Sequence, residues 1–316
     1  MGSAFAQVKI TGGVDFTFGK TTASTAASTA GSFDAKTGLP TTTVTPAGSD
    51  SKGLYSSDAF IDISVSEDLG NGMKASSFME FNVDGGFQGA AYSGDKSFTL
   101  SAPMGSLTLI NTRTGGTIGA VLMTPVVAAT DHWSTATAAV VSRSAIDALI
   151  LSVPVAPGLT VAYKYLEAGG AGVPTPAATV NVLSGKYVMG SMSVAADYAM
   201  YDGASYKGDV RSTKLTLNGI YDAGVAKVGI GYDGPTAGTP NSASTGSAAA
   251  VMVAGISVPL GNLTAGLNYG KRDTSSFIEA GASYAISKNT FLTASYGSFD
   301  LGTTVDTYGL RVGHSF

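Results

Sequence analysis

Apolar and polar residues alternate one by one in short stretches along this chain, and that rhythm constrains the fold more than any other feature. Val8, Ile10, Gly12, Val14, Phe16 and Phe18 alternate with Lys9, Thr11, Gly13, Asp15 and Thr17. In an extended strand successive side chains point to opposite faces, so this spacing makes a ribbon with one apolar and one polar side. The rhythm returns at Ala59, Ile61, Ile63 and Val65, at Ala75, Ser77, Met79 and Phe81, and at Leu263, Ala265, Leu267 and Tyr269. Helical periodicity holds over no useful length.

The connections between these stretches alternate short and long. Asp68-Leu-Gly-Asn-Gly72, Pro103-Met-Gly105, Ala156-Pro-Gly158, Tyr221-Asp-Ala-Gly224, Leu260-Gly-Asn262 and Ser287-Lys-Asn289 read as tight turns. Between them lie long segments rich in Gly, Ser, Thr and Ala: Thr21 to Gly53, Gly85 to Asp95, Ala168 to Ala178 and Gly234 to Ser247. Tight turns at one end and long loops at the other are the habit of bacterial outer-membrane barrels, whose strand number is even. The spacing predicts about sixteen strands, and at ~10 residues per strand about half of the chain lies in the wall.

Charge supports a wall that faces lipid. Only 13% of residues are charged, against roughly 25% in a soluble domain, and so little charge leaves a soluble surface with large apolar patches. A helical span needs ~20 mainly apolar residues. The longest charge-free stretch, Gly234 to Gly270, is broken by Pro235, Pro240, Pro259 and Asn262. The sorted loops argue equally against a soluble sandwich or solenoid. There is no cysteine, so disulfides, thiolate metal sites and cysteine nucleophiles are excluded. A net charge of −4 gives no nucleic-acid footprint. Met1 to Ala6 ends in a small-x-small pattern like the tail of a secretory cleavage site, and is read as a signal remnant or cloning scar.

Aromatic residues mark both rims. Tyr165, Tyr198, Tyr232, Tyr269, Tyr296 and Tyr308 fall at the long-loop end of apolar strand faces, and Tyr221, Tyr284 and Phe316 at the tight-turn end. Such girdles form where a barrel wall meets the two membrane–water interfaces. In the last strand Tyr308, Leu310, Val312, His314 and Phe316 share one face, and the sequence stops at an aromatic residue. His314 therefore belongs to the outer rim.

Four patches now carry a family resemblance. Glu67-Asp-Leu-Gly-Asn-Gly-Met-Lys-Ala75 with Glu80 resembles the second-to-third-strand hairpin of the general porins of Gram-negative bacteria, especially the β-proteobacterial type. Gly105-Ser-Leu-Thr-Leu109 is similar to that family's fifth strand. Tyr284-Ala-Ile-Ser-Lys288 with Thr290, Tyr296 and Gly297 resembles its penultimate hairpin, and Gly309-Leu-Arg311 with His314 and Phe316 its closing strand. The resemblance implies an all-β fold, a 16-stranded antiparallel transmembrane β-barrel with short periplasmic turns, long extracellular loops and an inward-folded third loop. It implies a homotrimer in the outer membrane that lets small hydrophilic solutes and ions diffuse through, in contact with lipid and lipopolysaccharide. It also implies acids on the third loop facing an arginine wall. This sequence holds Phe60 and Ser64 where arginines are usual, Asp95 and Lys96 rather than an arginine pair, and Asn111 where a further arginine is common.

Residues 7–316 are accordingly expected to form one barrel domain, with about 114–140 as the pore-constricting third loop. That segment is apolar, with Ile118, Val121, Leu122, Met123, Pro125, Val126, Val127 and Trp133, and Asp131 is its one acid. Strand parity, height and the resemblance nominate Asp15, Asp62, Glu80, Arg113, Asp131, Lys164, Asp197, Lys214 and Arg311 for the pore lining and constriction. Both signs are present and few of each, so weak ion selectivity is expected. No enzyme is expected: His132 and His314 lie far apart, and there is no metal-binding helix, P-loop or nucleophile elbow. No cofactor and no metal site are expected. The alternative function is a surface adhesin or partner-binding barrel acting through its long loops, Thr21 to Gly53 foremost.

Overall fold

A computed structural model describes residues 6–23, 28–33, 40–45, 51–82, 94–114, 144–167, 179–202, 213–237, 250–272, 275–300 and 304–316. Its strands are β1 (Gln7–Ala23), β2 (Ser28–Phe33), β3 (Pro40–Thr45), β4 (Ser51–Gly70), β5 (Met73–Asn82), β6 (Lys96–Ala102), β7 (Gly105–Thr114), β8 (Ser144–Ala156) and β9 (Leu159–Glu167). They continue as β10 (Thr179–Met189), β11 (Met192–Asp202), β12 (Thr213–Asp222), β13 (Lys227–Ala237), β14 (Val251–Leu260), β15 (Leu263–Arg272), β16 (Ser275–Ala285), β17 (Thr290–Asp300) and β18 (Thr304–Ser315). Among the described residues there is no helix.

Sixteen of these strands form a closed antiparallel barrel, each hydrogen-bonded to its neighbour in sequence order, with β1 lying between β4 and β18. Closure leaves no unpaired edge, as a lipid environment demands. The remaining two, β2 and β3, pair as a separate ribbon. They fall inside Thr21 to Gly53, a segment whose Ser/Thr/Ala composition reads as loop. Most of the barrel strands have 9 to 13 residues, enough for a tilted strand to cross a bilayer.

Turn chemistry fixes the short end. Gly70, Asn71 and Gly72 have φ of 81°, 54° and 75°, and the Asp68 carboxylate accepts the Gly70 N–H at 2.8 Å. Gly, Asn and Asp tolerate or stabilise such left-handed turns at little cost. Gly158, at φ 78°, has a second constraint: a Cβ there would meet the Val188 carbonyl oxygen at 2.2 Å. The turn at Gly190, φ 53°, carries no Asn, Asp or Pro beside it, and nothing in its local sequence announced it.

The barrel is apolar outside and polar inside. Val8, Ile10, Val14, Phe16 and Phe18 are 44–63% exposed on the outer face of β1. The alternate residues Asp15 and Thr17 are 5% and 1% exposed. The same inversion recurs around the ring, with Ser184, Asp197, Thr216, Asn218, Ser257, Asn268, Glu279, Thr293 and Thr307 all buried on the inner side. Lipid contact explains the outward apolar set.

The last residue completes the seam. Gly12 N–H donates to the Phe316 carbonyl at 3.1 Å, and Phe316 N–H returns the bond to Gly12 at 3.0 Å. The Phe316 ring fills the place of a side chain at Gly12, where a Cβ would lie 2.6 Å from it. His314 is exposed on the outer face, and its Nδ1 lies 3.0 Å from Thr290 Oγ1.

Candidate functional site: the charged inner wall

Register decides which side chains share the lumen. Asp15 lies on β1 and Arg311 on β18, and the Arg311 guanidinium donates to Asp15 Oδ2 across the closing seam. Its Cζ also stands 5.5 Å from the centre of the Phe291 ring, a cation–π distance. First and last strands are thus joined inside the barrel as well as along their backbones.

Lys164, from β9, reaches past β10 to Asp197 on β11, with Nζ 3.2 Å from both carboxylate oxygens. Ser184 on the intervening β10 donates its hydroxyl to Asp197 Oδ1 at 2.5 Å. Lys214 on β12 pairs with Asp233 on β13 at 3.2 Å, and Thr216 Oγ1 donates to the same carboxylate at 3.3 Å. Charge-assisted contacts of this kind hold both partners in fixed orientation.

A second group lies on β4 to β6. Asp62 stands opposite Thr11 on one side and Glu80 on the other. Glu80 N–H donates to the Asp95 carbonyl at 2.9 Å, so the row continues to Asp95 just before β6. Thr112 Oγ1 donates to Asp95 Oδ2 at 2.6 Å. On the far side of the ring Asn268 and Glu279 face each other across β15 and β16, at 0% and 1% exposure.

Asp15, Asp62, Glu80, Lys164, Asp197, Lys214 and Arg311 therefore stand on the inner face. The Arg113 side chain and the whole of Asp131 lie outside the described residues, as do Ile118 to Trp133 and the segment 115–143. Sequence parity did not single out Asp233, Asp95 or Glu279. Asp233 continues the inward set Lys227, Gly229, Gly231, and the glycines there carry no side chain to reveal the alternation.

The wall also has an apolar inner patch. Val180, Val182 and Ala199 are 4–6% exposed, with Leu166 and Tyr201 packed against them. Val182 lies opposite Lys164 and Ala199, so these residues share the lumenal face of β9 to β11. Among the described residues no group of three His, Cys, Asp or Glu is placed to hold a metal ion. What the arrangement offers is a water-facing wall with fixed charges, suited to passing ions and polar molecules.

A family model described as Gram-negative porin matches residues 2–304. Among solved structures, an anion-selective porin from Comamonas acidovorans superimposes with a TM-score of 0.70 at 16% identity, covering 99% of this chain and 100% of that one. A triple mutant of Rhodopseudomonas blastica porin gives a TM-score of 0.60 at 14% identity, covering 98% of this chain and 100% of that one. No curated protein sequence matches. At these identities the structural likeness speaks for the fold, and the family model speaks for membership.

Proposed function

The chain belongs to the Gram-negative porin family, and from that premise we propose a passive, weakly charge-selective pore for small hydrophilic solutes and ions. It is an outer-membrane β-barrel channel of sixteen strands. The reading of weak selectivity is carried by one observation: inward bases and acids occur together and are joined in pairs, Arg311–Asp15, Lys164–Asp197 and Lys214–Asp233. Paired charges project little field into the lumen, so neither ion sign is strongly favoured. The wall moves solutes without covalent chemistry, and no enzymatic role is assigned to it. The adhesin alternative finds no support in the family match or the structural neighbours, which are porins.

Residues 7–316 act as one barrel unit. The segment 114–140 serves as a constriction that lies against the inner wall. Support comes from the lumenal patch of Val180, Val182 and Ala199 with Leu166 and Tyr201. Apolar side chains on the inside of an aqueous pore are withdrawn from water only when something apolar covers them, and that segment is the most apolar long connection in the sequence. Its Asp131 and the nearby Arg113 complete the constriction lining. The pore assembles as a homotrimer, and its outer rim meets lipopolysaccharide.

Planar-bilayer recording of detergent-purified protein tests this. Ion-permeable steps arriving in groups of three are expected, with a small reversal potential in a salt gradient. Absence of conducting steps from folded protein overturns the pore, and single steps overturn the trimer. Removal of residues 117–131 is expected to raise single-channel conductance, and an unchanged value refutes the constriction.

A further inference from the structure

The outer wall breaks its own rule along one row. Met79 faces outward beside the inward Glu80, and its register partner Lys96 therefore faces outward too. Lys96 stands opposite Asn111, Asn111 opposite Asp147, and Asp147 opposite Glu167. Neighbouring strands β6 to β9 thus present a base, an amide and two acids on the face where lipid selects apolar side chains. The next outward row toward the tight turns is apolar again, with Phe98, Leu109, Leu149 and Tyr165. Tyr165 belongs to the aromatic girdle at the long-loop end, so the polar row stands at the membrane–water interface, where headgroups meet it.

The row has unused bonding capacity. Asn111 Nδ2 donates to Asp147 Oδ1 at 2.6 Å, and the Tyr165 hydroxyl donates to Glu167 Oε1 at 3.0 Å. Each carboxylate keeps its second oxygen for an outside donor, and two acids placed directly opposite repel each other without one. Lys96 is exposed and enters no ion pair among the described residues. Beneath the row runs a groove of about 670 Å³ with Val65, Met79, Phe98, Leu109 and Leu149 along its sides. The small Ser77 lies between Val65 and Phe98. Sites for small ligands have volumes of ~300–1,000 Å³.

We propose that the outer face of β6 to β9 binds one lipopolysaccharide molecule: a phosphate on Lys96, sugar hydroxyls and amides on Asn111, Asp147 and Glu167, and an acyl chain in the groove below. The mixed row selects this occupant. Two acids beside one base repel a bare phosphate headgroup, whereas sugar hydroxyl and amide groups donate to carboxylates and accept from Asn111. The groove opens on the lipid side of the wall, and a chain lying against Phe98 and Leu149 is in its own medium. A protein partner covers ~800 Å² on each side, while this row is one residue high. The proposal rests on the reading that the outer rim meets lipopolysaccharide, and gives that contact its residues.

Native mass spectrometry of the folded, detergent-purified protein with added deep-rough lipopolysaccharide tests the site. One tightly held molecule per chain is expected. Phosphatidylglycerol, which has the phosphate but no sugar, should bind more weakly. Lys96→Met should weaken lipopolysaccharide binding about tenfold and leave binding of dephosphorylated lipid A unchanged. Asp147→Asn with Glu167→Gln should weaken it too, and tighter binding by that pair overturns the sugar contact. Ser77→Trp fills the groove from an exposed position and should also weaken binding, whereas Leu292→Trp, outward on β17, should not. All variants should conduct as the wild type does, which shows that they fold. If Ser77→Trp does not fold, Lys96→Met and the carboxylate pair decide. Wild-type binding that no variant changes overturns the site and leaves the rim contact standing, and no binding by the wild type overturns the rim contact as well. Loss of the trimer in lipid-free Lys96→Met overturns the proposal by assigning the row to a neighbouring copy of the chain.

Discussion

Two stretches of the barrel wall are built to different rules. From β9 to β13 the inner face is filled: Val180, Val182 and Ala199 are buried there, and two ion pairs, Lys164–Asp197 and Lys214–Asp233, lie flat along it. From β14 through β18 and β1 to β4 a single hydrogen-bonded row reads Ser257, Gly266, Gly281, Ser295, Gly309, Gly19, Gly53. Gly19 continues the inward parity of Asp15 and Thr17, so this row faces the lumen. One stretch offers a surface that something can cover, and the other keeps its side chains short at the height of this row, although nearer the long connections its inner face also buries Val251, Val253 and Phe277. A pore with an inserted segment needs both, because covering one wall narrows the lumen and short side chains on the other keep a path open. The difference also separates two kinds of substitution, and each can be tried.

The largest effect is expected at the seam of the open half. Gly12→Leu places atoms where the Phe316 ring and the Phe60 carbonyl oxygen already lie, at 2.6 Å and 2.7 Å from a Cβ. Relieving that overlap costs about 3 kcal/mol or more, and it falls on the bond pair that closes the ring. Heat-modifiable migration on a gel should show loss of the folded barrel. Gly53→Leu is its counterpart, since a Cβ at Gly53 meets nothing within 4 Å, and it should fold normally.

Next comes a carboxylate set into each half. Val180→Asp puts a charge opposite Leu166 and Tyr201 and beside Val182, and burying it among apolar neighbours costs roughly 2–4 kcal/mol. Gly53→Asp puts the same charge in open space, and should cost under ~1 kcal/mol. Urea titration of the refolded barrel in detergent compares them. Equal midpoints would mean that the β9–β13 face is not covered in the way its burial indicates.

A smaller effect, on conduction alone, is expected from bulk in the open row. Gly53→Trp should roughly halve single-channel conductance while the barrel stays folded, because a side chain there meets open space and no neighbour. Tryptophan on the outer face at Ala294 should leave conductance as it was. If the two behave alike, the glycine and serine row does not line the path.

How much of this was legible in the sequence depends on which face a residue occupies. The outer face could be read, because lipid selects apolar side chains at every second position, as in Val8 to Phe18. The tight turns could be read where Asp68, Asn71 and Gly72 supply turn chemistry, but not at Gly190, where backbone conformation alone makes the bend. The inner face was harder. Parity combined with charge reached Asp15, Lys164, Asp197, Lys214 and Arg311, yet it assumes that inward means polar. Val180, Val182 and Phe277 break that assumption, and Phe277 lies over Gly270, where a Cβ would meet its ring at 2.1 Å. Pairing across β10, which joins Lys164 to Asp197, depends on register between strands separated by long connections, and a single chain of letters does not encode it locally.

The smallest effect is expected at the tight-turn end, away from the middle of the wall. Asp222 accepts the Gly224 N–H at 2.9 Å and pairs with Lys227 at 3.3 Å, but both side chains are about half exposed. Water competes for both partners, and an exposed pair of this kind contributes little. Lys227→Met removes an inward lysine without touching the middle of the wall. Its reversal potential should therefore stay close to that of the wild type, whereas Lys164→Met moves it toward cations. A shift at Lys227 as large as that at Lys164 would mean that the ion preference is set along the whole height of the lumen, and the contrast between a covered and an open half would no longer describe where selection occurs.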